Sequence, residues 1–271
     1  MLCKVLKVSR QGYYKWLNKK EIKTKRSAQN ENLKKIIHKI YDSSRNTYGR
    51  RRVHATCKKQ GIACGKNRVG KLMKQLHLQG RGKPKFIKTT DSLHNRRIFP
   101  NLIIQNFKAY VANSIWTSDI TYIPTKEGWL YLCIVLDCYS RSIIGWSMSE
   151  KINAELVVSA IKQAISNRKP ETGVVFHSDR GSQYASYAVV NILKANGFLQ
   201  SMSSTGNCYD NAITESFFAT LKIELIHKCN FLNRKEARVS IFEFIEVFYN
   251  RIRIHSKLDF KTPFEYEGIC M

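Results

Sequence analysis

The chain has 271 residues, 43% of them hydrophobic, enough for a sizeable core and about two domains. Its formal net charge of +26 is concentrated in residues 1–110, with 29 Lys+Arg against 4 acids, while residues 111–271 hold 17 against 16. That asymmetry exceeds what solubility needs and points to a polyanion such as nucleic acid. No apolar run nears the ~20 residues of a membrane span, which argues against a membrane protein.

Residues 1–29 form a basic lead in which SRQGYYKWL reads as a short helix. Residues 30–90 read as a small all-α, helix-turn-helix-like DNA-binding domain. Leu33, Ile36, Ile37 and Ile40 recur at helical spacing, and a second helix over 50–60 is stopped by Gly61. The third, KNRVGKLMKQLH at 66–77, carries Val69, Leu72, Met73 and Leu76 on one face. Arg68, Lys71 and Lys74 populate its remainder and are the expected DNA contacts. Residues 91–112 complete a basic linker. A catalytic core is expected over 113–230, with a helical C-terminal extension over 231–271.

From residue 113 the periodicity changes. Strand-like runs at 114–123, 129–137 and 142–149 are separated by turn material and read as an antiparallel meander. Next come helix 154–167, strand 174–179, helix 186–196, strand 198–203 and helix 212–227. A last helix spans 234–252, with Asn233 and Glu236 as a capping box and Ile241, Ile245, Phe248 and Ile252 as its buried positions. The order βββαβαβα gives an α/β (α+β) fold: a ribonuclease-H-like mixed five-stranded sheet flanked by helices.

Three carboxylates stand out on this frame. Asp119 lies mid-strand in IWTSDITYI, where an unpaired charge is costly. Asp179 ends VVFHSD, and Glu215 opens the helix NAITESFFATLKIEL. The first and fourth strands are neighbours in such a sheet, so the two aspartates can approach, with Glu215 reaching in from the helix after strand five. Converging carboxylates suit hard, oxygen-seeking cations that activate a hydroxyl and stabilise a departing oxygen at a phosphodiester. Lys222, two turns after Glu215, shares its helix face and could hold a phosphate as a point charge. Asp137 and Asp210 read as structural, and His177 as a structural residue beside Asp179. None of the eight cysteines forms a C-x-x-C pair, and reduced, unligated thiols in the cytoplasm are expected.

The segments IWTSDITYI, LDCYSRSIIGWSMS, VVFHSDRGSQYAS, SMSSTGNCYDNAITESFFATLK and YNRIRIHSKLDFKTP together resemble the transposases of IS3-type bacterial insertion sequences. The resemblance is to the downstream-frame (OrfB) product, whose catalytic part is similar to retroviral integrases, and runs from about Val8 to Pro263. It implies that Asp119, Asp179 and Glu215 form a DDE triad binding two Mg²⁺ ions, with Mn²⁺ as a substitute. Lys222 would be the basic residue two turns past the glutamate. Tyr249, Asn250, Arg253 and His255 match a C-terminal signature near the active site or DNA. Such enzymes cut at the terminal inverted repeats of an element and use the freed 3′-hydroxyl to attack target DNA. The further implications are a multimer on nucleoid DNA and an upstream-frame product, often joined by frameshifting into a fusion.

Overall fold

Apolar residues spaced three and four apart organise the beginning of the chain into helices. The computed structural model describes residues 2–5, 7–21, 25–80, 98–104, 106–204 and 211–268. Asp210, Cys208, Cys270 and linker residues 81–97 lie outside these. The chain divides into two compact units, Met1–Arg81 and Gly82–Met271. The first contains α1 (Leu2–Val5), α2 (Arg10–Glu21), α3 (Lys25–Ser43), α4 (Arg50–Lys59) and α5 (Lys66–Gln75). Leu33, Ile37 and Ile40 of α3, Val53 and Cys57 of α4, and Val69, Leu72 and Met73 of α5 form its buried faces. The α4–α5 turn is fixed where Ile62 N donates to Cys57 O at 2.9 Å. Gly61 takes a φ of +73° there, a conformation open to glycine at no steric cost.

The second unit is built on one mixed sheet. Its strands are β1 (Ile115–Thr125), β2 (Gly128–Asp137), β3 (Ile143–Ser149), β4 (Val175–Ser178) and β5 (Leu199–Met202), in the order β3-β2-β1-β4-β5. β1, β2 and β3 are antiparallel, while β4 runs parallel to β1 and β5 to β4. The helices are α6 (Ala154–Arg168), α7 (Tyr187–Ala195), α8 (Ala212–Glu224), α9 (Arg234–Glu243) and α10 (Pro263–Tyr266). This is the ribonuclease-H-like arrangement expected from the element order.

The strands alternate their side chains between two cores. On one face Trp116, Cys133 and Val135 pack with Leu156, Val157 and Ile161 of α6 and with Val189 and Leu193 of α7. On the other, Ile123, Leu132 and Ile134 pack with Phe217 and Leu221 of α8 and Ile241 of α9. Gly145 is needed for the α6 contact. A Cβ there would sit 2.4 Å from the Ala160 carbonyl oxygen and 2.7 Å from the Ala164 Cβ. No described helix is long and apolar enough to cross a membrane.

Two expectations at the C-terminal end are corrected. Asn233 accepts from Glu236 N at 2.8 Å, but the Glu236 carboxylate returns its bond to Leu232 N rather than to Asn233, so the box is not closed. The helix expected over 234–252 is α-helical only to Glu243 and continues as a π-helical turn over Phe244–Tyr249. Bonds from Asn250 N to Ile245 O and from Arg253 N to Phe248 O skip five residues. The extra residue rotates the downstream segment, which leaves Ile252 exposed and turns Tyr249 and Asn250 inward.

Candidate active site

Asp119 sits on β1 opposite Ile134 of β2. It shares the strand face of Ile115 and Ile123, against which α8 packs. β1 and β4 pair in parallel through Thr117↔His177. Two residues further along that register, Asp119 comes level with Asp179, just past the end of β4. Each aspartate spends one oxygen on the backbone: Asp119 Oδ1 accepts from Ile120 N at 2.7 Å, and Asp179 Oδ1 from Gly181 N at 2.9 Å.

Burial, and then the charge of Asp179, hold the Asp119 carboxyl well above the usual carboxylate range. Glu215 pushes the same way more weakly, while the Ile120 amide and Lys222 oppose. Glu215, in the first turn of α8, is itself raised by burial. Burial lowers the Lys222 ammonium and Asp119 pulls it back up. Two partly buried acids that repel one another favour a positive charge between them. Among the described residues no three His, Cys, Asp or Glu side chains close on one point tightly enough to cage a metal ion. The fold thus presets the aspartate pair, with Glu215 on the adjoining helix. The donors are all carboxylate oxygens, which fits a hard divalent cation and not a soft one.

The rest of the neighbourhood holds these groups in place. On the opposite face of β1, Ser118 Oγ donates to Ile134 O at 2.7 Å and pairs with the buried Tyr184 hydroxyl at 2.8 Å. Asn211, at the start of α8, donates from Nδ2 to Ser118 O at 3.5 Å and accepts from the Thr214 hydroxyl. These bonds tie α8 to the strand of Asp119, and sequence periodicity carries no signal for them. His177 is buried, its Nδ1 2.8 Å from Ser201 Oγ, in the structural role expected. Asp137 is buried too and caps a turn, accepting from Asn113 N at 2.8 Å and Tyr139 N at 2.9 Å. Burial pushes its carboxyl up to about 6, against the pull of those two amides.

Comparison with known proteins fits this arrangement. Two integrase core domain families match the chain, one over residues 109–208 and the other over 215–269, and an HTH-like domain family matches residues 28–86. The chain is 42% identical over 262 residues to the insertion element IS600 uncharacterized 31 kDa protein of Shigella sonnei, spanning 97% of this chain and 96% of that one. It is 41% identical to the transposase for insertion sequence element IS904 of Lactococcus lactis, over 90% and 96% of the two chains. To transposase InsF for insertion sequence IS3A of Escherichia coli it is 36% identical, over 98% and 93%. The chain belongs to the IS3 family of transposases.

The DNA contacts expected of this family member divide in two. Lys222 lies where the sequence set it, two turns beyond Glu215, with Nζ 4.9 Å above the Tyr122 ring. Lys71 and Lys74 are exposed on α5. Arg68 is not presented in the same way. Its Nε donates to Asn30 Oδ1 of α3 at 2.9 Å, and one terminal nitrogen is enclosed, so it cements two helices. Reversing Lys71 and Lys74 together to glutamate is expected to weaken DNA binding and to flatten the salt dependence by ~0.9 per lost phosphate contact. Arg68→Ala is expected to leave that slope unchanged. An affinity titration across a salt series checks both.

Tyr249, Asn250, Arg253 and His255 are corrected as DNA contacts, because all four are buried. Asn250 accepts from Ile143 N at 3.0 Å and donates to Ile143 O at 2.9 Å, pinning the π turn to β3. Arg253 forks onto Glu224 of α8 at 2.8 and 2.9 Å. Tyr249 packs edge-on against Phe217 and His255, with ring centroids 4.7 and 4.9 Å apart. The signature ties the C-terminal segment to the helix of Glu215 and lies inside the protein.

Proposed function

We propose that this transposase cuts phosphodiesters at the ends of an insertion sequence and joins the freed 3′-hydroxyl to target DNA, with Asp119, Asp179 and Glu215 as the acidic triad. The observation that carries the reading is the parallel register of β1 and β4, which sets two mutually repelling aspartates side by side beside the helix of Glu215. Two Mg²⁺ ions, or Mn²⁺ in their place, would supply activation of the attacking hydroxyl and charge for the departing oxygen. Asp119 and Asp179 would hold them from the sheet and Glu215 from α8.

The chain's own residues account for the remaining tasks. The bonds to Ile120 N and Gly181 N hold the two aspartates, so this pair needs little reorganisation when substrate arrives, and Glu215 closes on it from α8. Lys222, partly buried beside Asp119, offers a point charge to the phosphate. In cleavage, water oxygen bonds to phosphorus as the bond to the 3′ oxygen breaks; a proton lost by the water passes through solvent to that oxygen, which leaves as the 3′-hydroxyl, and the phosphate stays on the 5′ end. In joining, the 3′-hydroxyl oxygen bonds to a target phosphorus as the target's own bond to its 3′ oxygen breaks, and the proton given up by the attacking hydroxyl is taken up by that departing oxygen. One phosphodiester replaces another, and no outside energy source is required.

The partners this activity requires are DNA, as terminal inverted repeats and as target, and a second copy of the chain, since two ends must be joined. An upstream-frame product or frameshift fusion would supply further end binding, on nucleoid DNA in the cytoplasm. Incubation with labelled element ends, a target plasmid and Mg²⁺ tests the reading. Joined products are expected. Nicked ends that are never joined would instead identify a hydrolytic nuclease.

A further inference from the structure

The tip of the β1–β2 hairpin carries two large aromatic side chains that no core claims. Tyr122 is 40% and Trp129 49% exposed, although both lie on regular strands. Their rings meet nearly at right angles, 85° apart with centroids at 5.0 Å, and form an open corner. Lys222 Nζ lies 4.9 Å above the Tyr122 ring while its charge also acts on Asp119, so one ammonium links this corner to the acidic site. β4 stops at Ser178 whereas β1 runs on to Thr125, so among the described residues no strand pairs with that edge of β1 past Asp119.

The corner is rigid. Thr125 Oγ1 donates to Gly128 O at 2.6 Å, and Lys126 N donates to Phe231 O at 3.1 Å. Arg234 donates from Nε to Trp129 O at 3.2 Å and from its backbone N to Glu127 Oε2 at 2.9 Å, which also engages the acid at the tip. The backbone beneath the rings is therefore fixed before any ligand arrives. Exposed aromatic faces set beside a cation are what an unpaired nucleotide requires: stacking for the base and charge for the phosphate. Tyr122 lies three residues beyond Asp119, roughly 10 Å along the strand. Three residues is an odd spacing, so Tyr122 and Trp129 lie on the other face of the strand pair from Asp119, and a DNA end reaches them from the acidic site past Lys222, whose ammonium acts on both.

We infer that Trp129 and Tyr122 form a stacking platform for an unpaired base at the DNA end next to the cut, with Lys222 on the adjoining phosphate. The inference rests on the transposase reading for its substrate, and its test is separable from that reading. The full-length chain is titrated with two probes, a fully paired element end and the same end with a short unpaired tail carrying 2-aminopurine. Joining is scored separately. For Trp129→Ala, affinity for the tailed end is expected to fall on the order of ten- to a hundredfold. Affinity for the paired end and the salt slope stay at the wild-type level. Trp129→Phe retains most of the affinity, and Tyr122→Leu serves as a second variant should Trp129→Ala fail to fold. An abasic site at the stacked position weakens wild type but adds nothing to the loss in Trp129→Ala. Equal affinity of wild type and Trp129→Ala for the tailed end overturns the platform, as does an abasic loss that multiplies with the mutation. Such a result would return the corner to a protein partner. A wild-type chain that joins no ends yet shows the Trp129-dependent affinity would overturn the transposase reading and keep the platform.

Discussion

Replacing Asp179 by asparagine is expected to lower end joining by at least about a thousandfold and to leave DNA binding nearly unchanged. A carboxylate that anchors a catalytic cation is worth several kcal/mol at the transition state, and each 1.36 kcal/mol is tenfold in rate. Asparagine has the same shape and keeps Oδ1 for Gly181 N, so the local turn survives. What disappears is the negative charge. That charge is also the largest electrostatic reason that Asp119 resists ionising, second only to its burial. Its removal relieves the repulsion, and the inactive variant is expected to melt above wild type in chelator. Addition of Mg²⁺ should raise the melting temperature of wild type more than that of the variant, since binding to the folded state alone stabilises it. A joining assay paired with thermal melts in chelator and in Mg²⁺ checks both halves. A variant that joins ends at the wild-type rate would remove Asp179 from the site. One that is inactive but melts below wild type would show that Asp179 holds the fold.

Arg253→Ala is expected to destabilise the catalytic unit by roughly 3–5 kcal/mol, because it strands the Glu224 carboxylate in the interior. The two side chains are only 5% and 7% exposed, and their forked contact leaves neither in reach of much water. For a unit of this size the loss corresponds to a fall on the order of 10 °C in melting temperature. Glu224→Leu combined with Arg253→Met replaces the pair by apolar groups of similar volume and is expected to recover most of the loss. The salt slope of DNA binding should be unaffected in every folded variant, which separates this account from a DNA-contact role. A large drop in salt slope for Arg253→Ala at unchanged stability would restore the arginine to the interface.

The sheet is legible in the sequence because its strands and helices announce themselves by period. The runs around Ile115–Ile123 and Leu130–Leu136 alternate or are wholly apolar, and the helix of Leu156, Val157, Ala160, Ile161 and Ala164 keeps one face. The position of Asp119 is legible for the same reason, since a carboxylate inside a strand violates the pattern that surrounds it. Arg68 is misread from sequence because charge on a helix does not say which way a long side chain turns, and Asn30 is 38 residues away. The C-terminal signature misleads for a related reason. Polar residues in a motif suggest chemistry, but Asn250 and Arg253 satisfy Ile143 and Glu224, 107 and 29 residues away. The π turn that delivers them has no periodic trace, because it breaks the very spacing by which a helix is recognised. Tyr122 and Trp129 read as ordinary strand residues until their exposure is known.

That turn also limits how the chain tolerates change in length. Deleting one residue from its exposed side, Val247 for example, would restore an unbroken α-helix and improve local hydrogen bonding. Every position downstream would then swing by about 100°. Asn250 would leave β3, and Arg253 would turn out toward solvent while Glu224 stayed behind. A redesign that smooths this segment into a regular helix would optimise the local geometry at the expense of the global one. The surplus residue works as a spacer: it sets the angular phase between the helix of Glu215 and the tail that braces it.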